Sequence, residues 1–184
     1  MVEEGPFLLE EMKSTEAYKL LREEMGPWTK AQGFKRAKSM LSWYRPHKDK
    51  HIVFWFQVSK SGWDAFAGSQ FTVEFQLSHD PIVGAGDRRE RLGKLLSDSV
   101  REELRGIQNS VILSLPKPPA DYFIFQLSEN IQTWYLRGFE PVTEPYSQNT
   151  DIWLRYYTSY HVRRWGQFVL QQLPQCIKQA EEWV

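Results

Sequence analysis

Side chains that bind metals or act as nucleophiles are few in this sequence. The histidines are His47, His51, His79 and His161, and the only cysteine is Cys176. They form no HxxxH or CxxC spacing, the arrangement that brings such ligands together in the clearest metal sites. We therefore expect no metal, no cofactor and an ordinary reduced thiol at Cys176. A catalytic pair of His79 and Asp80 remains an alternative to a simple turn before Pro81.

Nucleophilic and phosphate-binding motifs are also missing. The sequence has no GxSxG elbow for a serine nucleophile and no Cys-His arrangement. Gly84-Ala85-Gly86-Asp87 could offer backbone amides to an anion, but Asp87 would repel it, and the complete GxGxxG and GxxxxGK patterns are absent. With no recognisable catalytic motif, we lean towards a protein that is not an enzyme.

Three stretches, 51–59, 70–78 and 151–157, alternate between apolar and polar residues, which is typical of strands covered on one side. The apolar side carries Ile52, Phe54, Phe56, Phe71, Val73, Phe75, Leu77, Ile152 and Leu154. The opposite side combines rigid aromatics with hydrogen-bonding groups, a mixture that is enriched in binding hot spots. We predict a candidate binding face there, made by Trp55, Gln57, Glu74, Gln76, Trp153, Arg155 and Tyr157.

Three interpretations of this face stay open. It could contact a protein partner, or the C-terminal helix with Trp165 and Phe168 could cover it as a second core layer. It could also line a pocket of an enzyme or small-ligand receptor, with Glu74 as acid or base and Arg155 as an anion clamp.

The remaining elements follow from periodicity and punctuation. We predict a helix from Ser14 or Thr15, broken or kinked at Gly26-Pro27 and ended at Gly33. A strand over 38–45 ends at Pro46, and a hairpin loop occupies 60–69. A second helix over 88–105 is capped by Asp87 and closed by Gly106, and two further strands are predicted at 111–115 and 122–127. The C-terminal helix is kinked or restarted near Pro174.

Length and order predict the fold class. The 184 residues, 21.8 kDa, suit a single α+β domain over 1–184, with an antiparallel sheet and amphipathic helices packed on it, flanked by N- and C-terminal helices. Lys and Arg number 23, as do Asp and Glu, so the net charge makes nucleic acid an unexpected partner. A basic cluster at 35–38 beside Trp43 and Tyr44 leaves local binding of single-stranded nucleic acid as an alternative.

The cellular compartment is predicted from the absence of targeting and membrane-spanning patterns in the sequence. No apolar stretch approaches the ~20 residues of a membrane helix, and residues 1–9 lack the pattern of a secretory signal. We expect a cytoplasmic protein with no membrane association. The sequence does not indicate an oligomeric state.

Several short motifs carry a family resemblance. They are Gly33-Phe34-Lys35-Arg36, Trp43-Tyr44-Arg45, Gln57-Val58-Ser59-Lys60-Ser61, Phe71-Thr72-Val73-Glu74 and Asp151-Ile152-Trp153-Leu154. With them the sequence resembles the uncharacterised bacterial domain of unknown function 4304 family, closely over the first half and more loosely over the last quarter. The resemblance implies the same α+β architecture. It implies no activity, cofactor or site residue.

The leading hypothesis is therefore a non-catalytic binding protein that engages a protein partner through the aromatic and polar sheet face. An immunity-type protein that masks a toxin is one version of it. A small-molecule ligand near Glu74 and Arg155 is the alternative.

Overall fold

The alternating stretches form one antiparallel sheet in a computed structural model that describes residues 12–86, 88–146 and 151–183. Its strands are β1 (Lys35–Arg36), β2 (Leu41–His47), β3 (Lys50–Val58), β4 (Ser69–Ser78), β5 (Arg88–Arg91) and β6 (Leu154–Tyr156). The helices are α1 (Ser14–Ala31), α2 (Leu92–Leu95), α3 (Asp98–Leu113), α4 (Glu129–Leu136) and α5 (Ser159–Glu181), with 3-10 turns at Phe123–Gln126 and Arg137–Phe139. The strands run in the order β1-β2-β3-β4-β5, and β6 pairs with β4 beside β5. The predicted α+β class is confirmed.

The inner face of the sheet is the predicted apolar one. Trp43, Phe54 and Phe75 lie opposite one another on β2, β3 and β4. Their rings stack at centroid distances of 5.1 Å for Trp43–Phe54 and 6.0 Å for Phe54–Phe75. Stacked, fully buried rings of this size contribute strongly to a core, because each removes a large apolar area from water.

Helices α1 and α5 cover this inner face. Leu21 and Met25 of α1 and Trp165 and Val169 of α5 belong to the same buried cluster as the sheet aromatics. The two helices approach closely at Gly166, where an added Cβ would lie 3.1 Å from Glu24 Cγ. The core is therefore a single layer between the sheet and this helix pair.

Prolines do not interrupt the helices as expected. Helix α1 continues through Pro27 and α5 through Pro174, so each proline removes one backbone hydrogen bond without ending its helix. Pro46 lies inside β2 rather than after it. It is tolerated there because β1 pairs only as far as Tyr44, so beyond that residue β2 has no strand on its other side.

The predicted helix over 88–105 is wrong. Residues 88–91 pair with β4 as a strand, and the long helix begins after Ser97, whose hydroxyl accepts from the Val100 amide. The helix does not close at Gly106, because Val111 and Ile112 are buried on its far end. Their burial outweighs the ~1 kcal/mol that glycine costs within a helix. The predicted cap at Asp87 lies outside the described residues.

The strands predicted at 111–115 and 122–127 are also wrong. The first lies largely within α3, and the second is a 3-10 turn at Phe123–Gln126 that leads into α4. The late strand is shorter than the predicted 151–157. Side chains from α3 bond to its exposed edge: the Gln108 amide donates to the Trp153 carbonyl and accepts from the Arg155 amide, both at 3.2 Å.

Candidate functional site

Most of the predicted binding face is buried. Trp55 is 2% exposed, Glu74 2%, Gln76 0% and Tyr157 7%, whereas Gln57, Trp153 and Arg155 are half-buried. A face with these exposures offers little free area to a partner. The C-terminal helix does not cover it, because Trp165 and Phe168 pack on the inner face instead.

The chain segment after β4 accounts for the burial of Gln76. The Gln76 amide donates to the Ile82 carbonyl at 2.7 Å, and its oxygen accepts from the Gly84 amide at 2.8 Å. A Cβ on Gly86 would lie 2.2 Å from Gln76 Cγ, so only glycine allows this approach. The glycine-rich stretch therefore satisfies a buried amide, and the Gly84 N–H already has an acceptor.

Glu74 is held by two arginines of β5. Arg89 Nε lies 3.2 Å from Oε2 and Arg91 Nε lies 3.2 Å from Oε1, while the glutamate side chain is only 3% exposed. Arg91 also pairs with Asp151, and its guanidinium carbon lies 5.4 Å from the Trp153 ring centroid. Because Arg91 contacts both Glu74 and Asp151, it links β5 to the chain ahead of β6.

The structure does not bring Glu74 and Arg155 together. Arg155 lies opposite Gln70 on β4, whereas Glu74 lies opposite Arg91. Four residues along a strand separate the two positions, or about 13 Å. Glu74 does not line the cavity that holds Arg155. An acid–base group and an anion clamp are thus not juxtaposed at these residues.

A different cluster forms around Asp64, in the loop between β3 and β4. Its Oδ1 accepts from the amides of Phe66 at 2.9 Å and Ala67 at 2.6 Å and from the Tyr135 hydroxyl at 2.8 Å. Its Oδ2 accepts from the Tyr122 hydroxyl at 2.8 Å. This carboxylate therefore ties the hairpin loop to the segment that contains α4.

The pKa shifts in this cluster follow from burial and hydrogen bonding. Burial alone would raise the pKa of Asp64, but the bonds from Ala67, Phe66 and the two tyrosines lower it below its usual range. Burial, followed by the bond to Asp64, raises the pKa of Tyr122 to about 12 and that of Tyr135 still further. At neutral pH the cluster is an anion held by two neutral phenols.

Arg155 lies beside this cluster in a cavity of about 240 Å³. Its Nη1 donates to the Ala67 carbonyl at 3.1 Å, whereas its buried Nε has no hydrogen-bond partner. A Cβ on Gly138 would lie 3.3 Å from both terminal nitrogens, so the backbone there packs directly against the guanidinium. The cavity is also lined by Asp64, Gln70, Ile124, Trp134 and Tyr135.

An exposed apolar surface adjoins the cavity. It consists of Phe123, Leu127, Ile131 and Trp134, which are 56%, 42%, 41% and 69% exposed. Ile131 and Trp134, three residues apart in α4, lie on one side of that helix, and Phe123 and Leu127 precede it in the same short stretch of chain. We call these four residues the α4 surface. Large exposed apolar side chains that lie together, unlike scattered ones, mark interaction sites.

Three of the histidines take part in hydrogen bonds within the fold, and Cys176 is buried. The described residues contain no group of three or more side chains that could hold a metal ion. His161 Nδ1 accepts from the amides of Tyr157 and Thr158 at the start of α5, and His79 contributes its carbonyl to His51. Burial raises the pKa of the Cys176 thiol to about 12, so it stays protonated at neutral pH.

Sequence reasoning missed Asp64, Tyr122, Tyr135 and the α4 surface. Asp64 meets the tyrosines across 58 and 71 residues of sequence, a separation that no local pattern reports. A signal for the α4 surface was present in the apolar residues at 127, 131 and 134, which have helical spacing.

Helices in the part of the chain that the structure describes include none long and apolar enough to span a bilayer.

Comparison with protein-family models, with curated proteins and with solved structures finds no match. The resemblance to the domain of unknown function 4304 family is neither supported nor contradicted by these comparisons. The chain's own surfaces are therefore the basis for its proposed function.

Proposed function

We propose that this chain is a non-catalytic binding protein that engages a protein partner through the α4 surface. The observation that carries the proposal is the exposure of four large apolar side chains within the 123–136 segment. The predicted sheet face is too buried to bind a partner, so we assign the partner surface to this segment instead. An immunity-type protein that masks a toxin is one form of the proposal.

The chemistry of the α4 surface suggests what the partner presents. Trp134 is the most exposed of the four and brings a large rigid area, as hot-spot residues do. The 123–136 segment carries one formal charge, Glu129, with Asp121 and Arg137 just outside it. We therefore expect a partner with a complementary apolar face, such as an amphipathic helix, and binding that depends little on salt.

Paired variants test this proposal. The tagged chain is expressed in its native host, purified gently, and the proteins retained with it are identified by mass spectrometry. Ile131→Ser combined with Trp134→Ala removes half of the α4 surface, and Leu113→Ser is the control because Leu113, on α3, is 73% exposed. We expect a stoichiometric protein with wild type and control and its loss with the double variant, at least tenfold in affinity.

Two outcomes would contradict the proposal. One is a partner that binds the folded double variant as tightly as wild type. The other is the retention of no stoichiometric protein by the wild-type chain. Thermal unfolding of the variants separates lost binding from lost folding.

A small-ligand receptor or enzyme is the second candidate, and the cavity at Arg155 favours it. The acid–base role assigned to Glu74 has no support in this geometry, because that carboxylate is held by Arg89 and Arg91 away from the cavity. What remains of this candidate is binding of an anion at Arg155.

A further inference from the structure

The guanidinium of Arg155 has donors that are not used by the part of the protein that the structure describes, although the side chain is half-buried. Only Nη1 of its guanidinium has a protein acceptor among the described residues, the Ala67 carbonyl. Its Nε is buried without a hydrogen-bond partner. Buried polar atoms are usually satisfied, so the guanidinium of Arg155, which also lines the cavity, is under-used by the protein itself.

The neighbouring acid does not supply that acceptor. Both oxygens of Asp64 already accept hydrogen bonds, from the amides of Phe66 and Ala67 and from Tyr122 and Tyr135. Its charge still acts on Arg155 through space. The cavity therefore holds one charge of each sign, and the negative group has donors of the protein on both oxygens, whereas the positive group has an acceptor among the described residues for Nη1 alone.

Gln70 adds a second free polar group. It lies directly opposite Arg155 in the β4–β6 pairing, so the two side chains project from the same face. The Gln70 side chain lines the same cavity, and its amide makes no hydrogen bond to the described residues. A guanidinium and an amide side by side can donate together to one planar acceptor.

The rest of the lining is apolar and aromatic. Ile124 and Trp134 lie on the α4 side of the cavity, and Trp134 is largely exposed at its rim. A volume of about 240 Å³ is below the range typical of nucleotide-sized sites. A ligand of this size would place its acceptor on Arg155 and a compact apolar body against these two side chains.

We propose that this cavity binds a small monocarboxylate with an apolar body, held by Arg155 and Gln70 and packed against Ile124 and Trp134. A carboxylate matches the fork of a guanidinium and accepts two parallel hydrogen bonds from it. One negative charge suits the site, because the fixed charge of Asp64 disfavours a dianion such as phosphate. The site shares Trp134 with the α4 surface, whereas Leu127 and Ile131 belong to the α4 surface and do not line the cavity.

Benzoate is the test probe, with benzamide as its neutral isostere and phenylphosphonate as a dianion. Binding is followed by ¹H–¹⁵N chemical shifts of the Ala67 and Gly68 backbone amides and the Gln70 side-chain amide. We expect benzoate to bind with a dissociation constant of about 1 mM or below, and benzamide and phenylphosphonate at least tenfold more weakly.

Variants locate the site. Arg155→Lys keeps the charge but loses the fork, and we expect at least a tenfold weaker benzoate affinity. Gln70→Met and Trp134→Ala each weaken it about threefold or more. Leu127→Ser is the matched control: it removes part of the α4 surface, and benzoate affinity should not change.

Several results would overturn the proposal. Equal binding of benzamide and benzoate, tighter binding of phenylphosphonate, or no saturable shift at about 10 mM benzoate would each do so. Unchanged affinity in folded Arg155→Lys would do so as well. If that variant does not fold, Gln70→Met and the wild-type comparison of the three probes still decide. Loss of a protein partner in Leu127→Ser with benzoate binding intact would show that the two proposals stand separately.

Discussion

Two carboxylates, Glu74 and Asp64, are each held by several donors of the protein itself. Glu74 bonds to two arginines and Asp64 to two amides and two phenols. Both oxygens of each carboxylate are engaged by donors of the protein itself, which is typical of a structural role. At the residue scale, ligand binding is therefore expected at Arg155, whose Nε has no hydrogen-bond partner among the described residues.

Replacing Glu74 with Gln should lower stability without affecting any binding. The neutral amide leaves Arg89 and Arg91 without their anion in a nearly buried place. We expect a loss of about 1–3 kcal/mol in the free energy of unfolding, measured by urea denaturation. Glu102→Gln, which breaks an exposed pair with Arg105, should change it by less than about 0.5 kcal/mol. Equal losses in the two variants would contradict a structural role specific to Glu74.

Asp64 makes the stability of the protein depend on pH. Because its folded-state pKa is below the usual value, its ionised form stabilises the fold above about pH 4, and this contribution is lost as pH falls through the folded pKa. Asp64→Asn should cost about 1–2 kcal/mol at pH 7, and the difference from wild type should shrink near pH 3. Asp49→Asn, at an exposed position in the β2–β3 turn, is the control. A difference that stays constant across this range would refute the assignment.

At the element scale, the β3–β4 loop decides the geometry of the site. It carries Asp64 and Ala67, and its end at Gly68 is pressed against β6. Gly68 has φ +68°, and a Cβ there would lie 2.3 Å from the Tyr156 carbonyl oxygen. Backbone, rather than a flexible side chain, would have to move to relieve that contact.

Gly68 and Gly62 form a matched pair in this loop. Gly62 has φ +76°, but no atom lies within 4 Å of a Cβ built there. An alanine at Gly62 would therefore have the same backbone strain as one at Gly68, without the steric clash. Gly62→Ala should lower stability by about 1 kcal/mol, and Gly68→Ala by about 3 kcal/mol or more. Thermal or urea unfolding of both variants measures the difference. Similar losses in the two would mean that Gly68 acts only through its backbone conformation.

At the scale of the whole molecule, the protein divides into a dense layer and an attached segment. The sheet with α1 and α5 shares one large core, whereas residues 123–139 are anchored mainly by Ile124, Tyr135 and the bonds to Asp64. Fewer buried contacts imply a lower free energy of local opening. The proposed binding surface lies on this less stable segment.

Hydrogen exchange should detect this division. We expect backbone amides of α4 to exchange at least tenfold faster than those of β3 and β4, measured at neutral pH by mass spectrometry or NMR. Asp64→Asn should accelerate exchange in α4 and leave the centre of β3 unchanged. Uniform protection across both regions would contradict the division.

Local patterns in the sequence were sufficient for the sheet and its inner face. Alternation at 51–58 and 70–78 identifies β3, β4 and the side that Phe54, Phe56, Phe71 and Phe75 occupy. The alternation is visible in the sequence because burial of one face of a strand requires an apolar side chain at every second residue. The flanking helices and the α+β class follow from the same reasoning at helical spacing.

Tertiary structure alone decided the rest. Residues 88–91 become a strand because β4 has a free edge there, and 111–113 stay helical because α3 buries Val111 and Ile112. Polar residues of the outer face are buried by loops and ion pairs that join distant parts of the chain. Asp64 meets Tyr122 and Tyr135 for the same reason. Such contacts depend on where the elements pack, and a local pattern carries no information about residues 58 or 71 positions away.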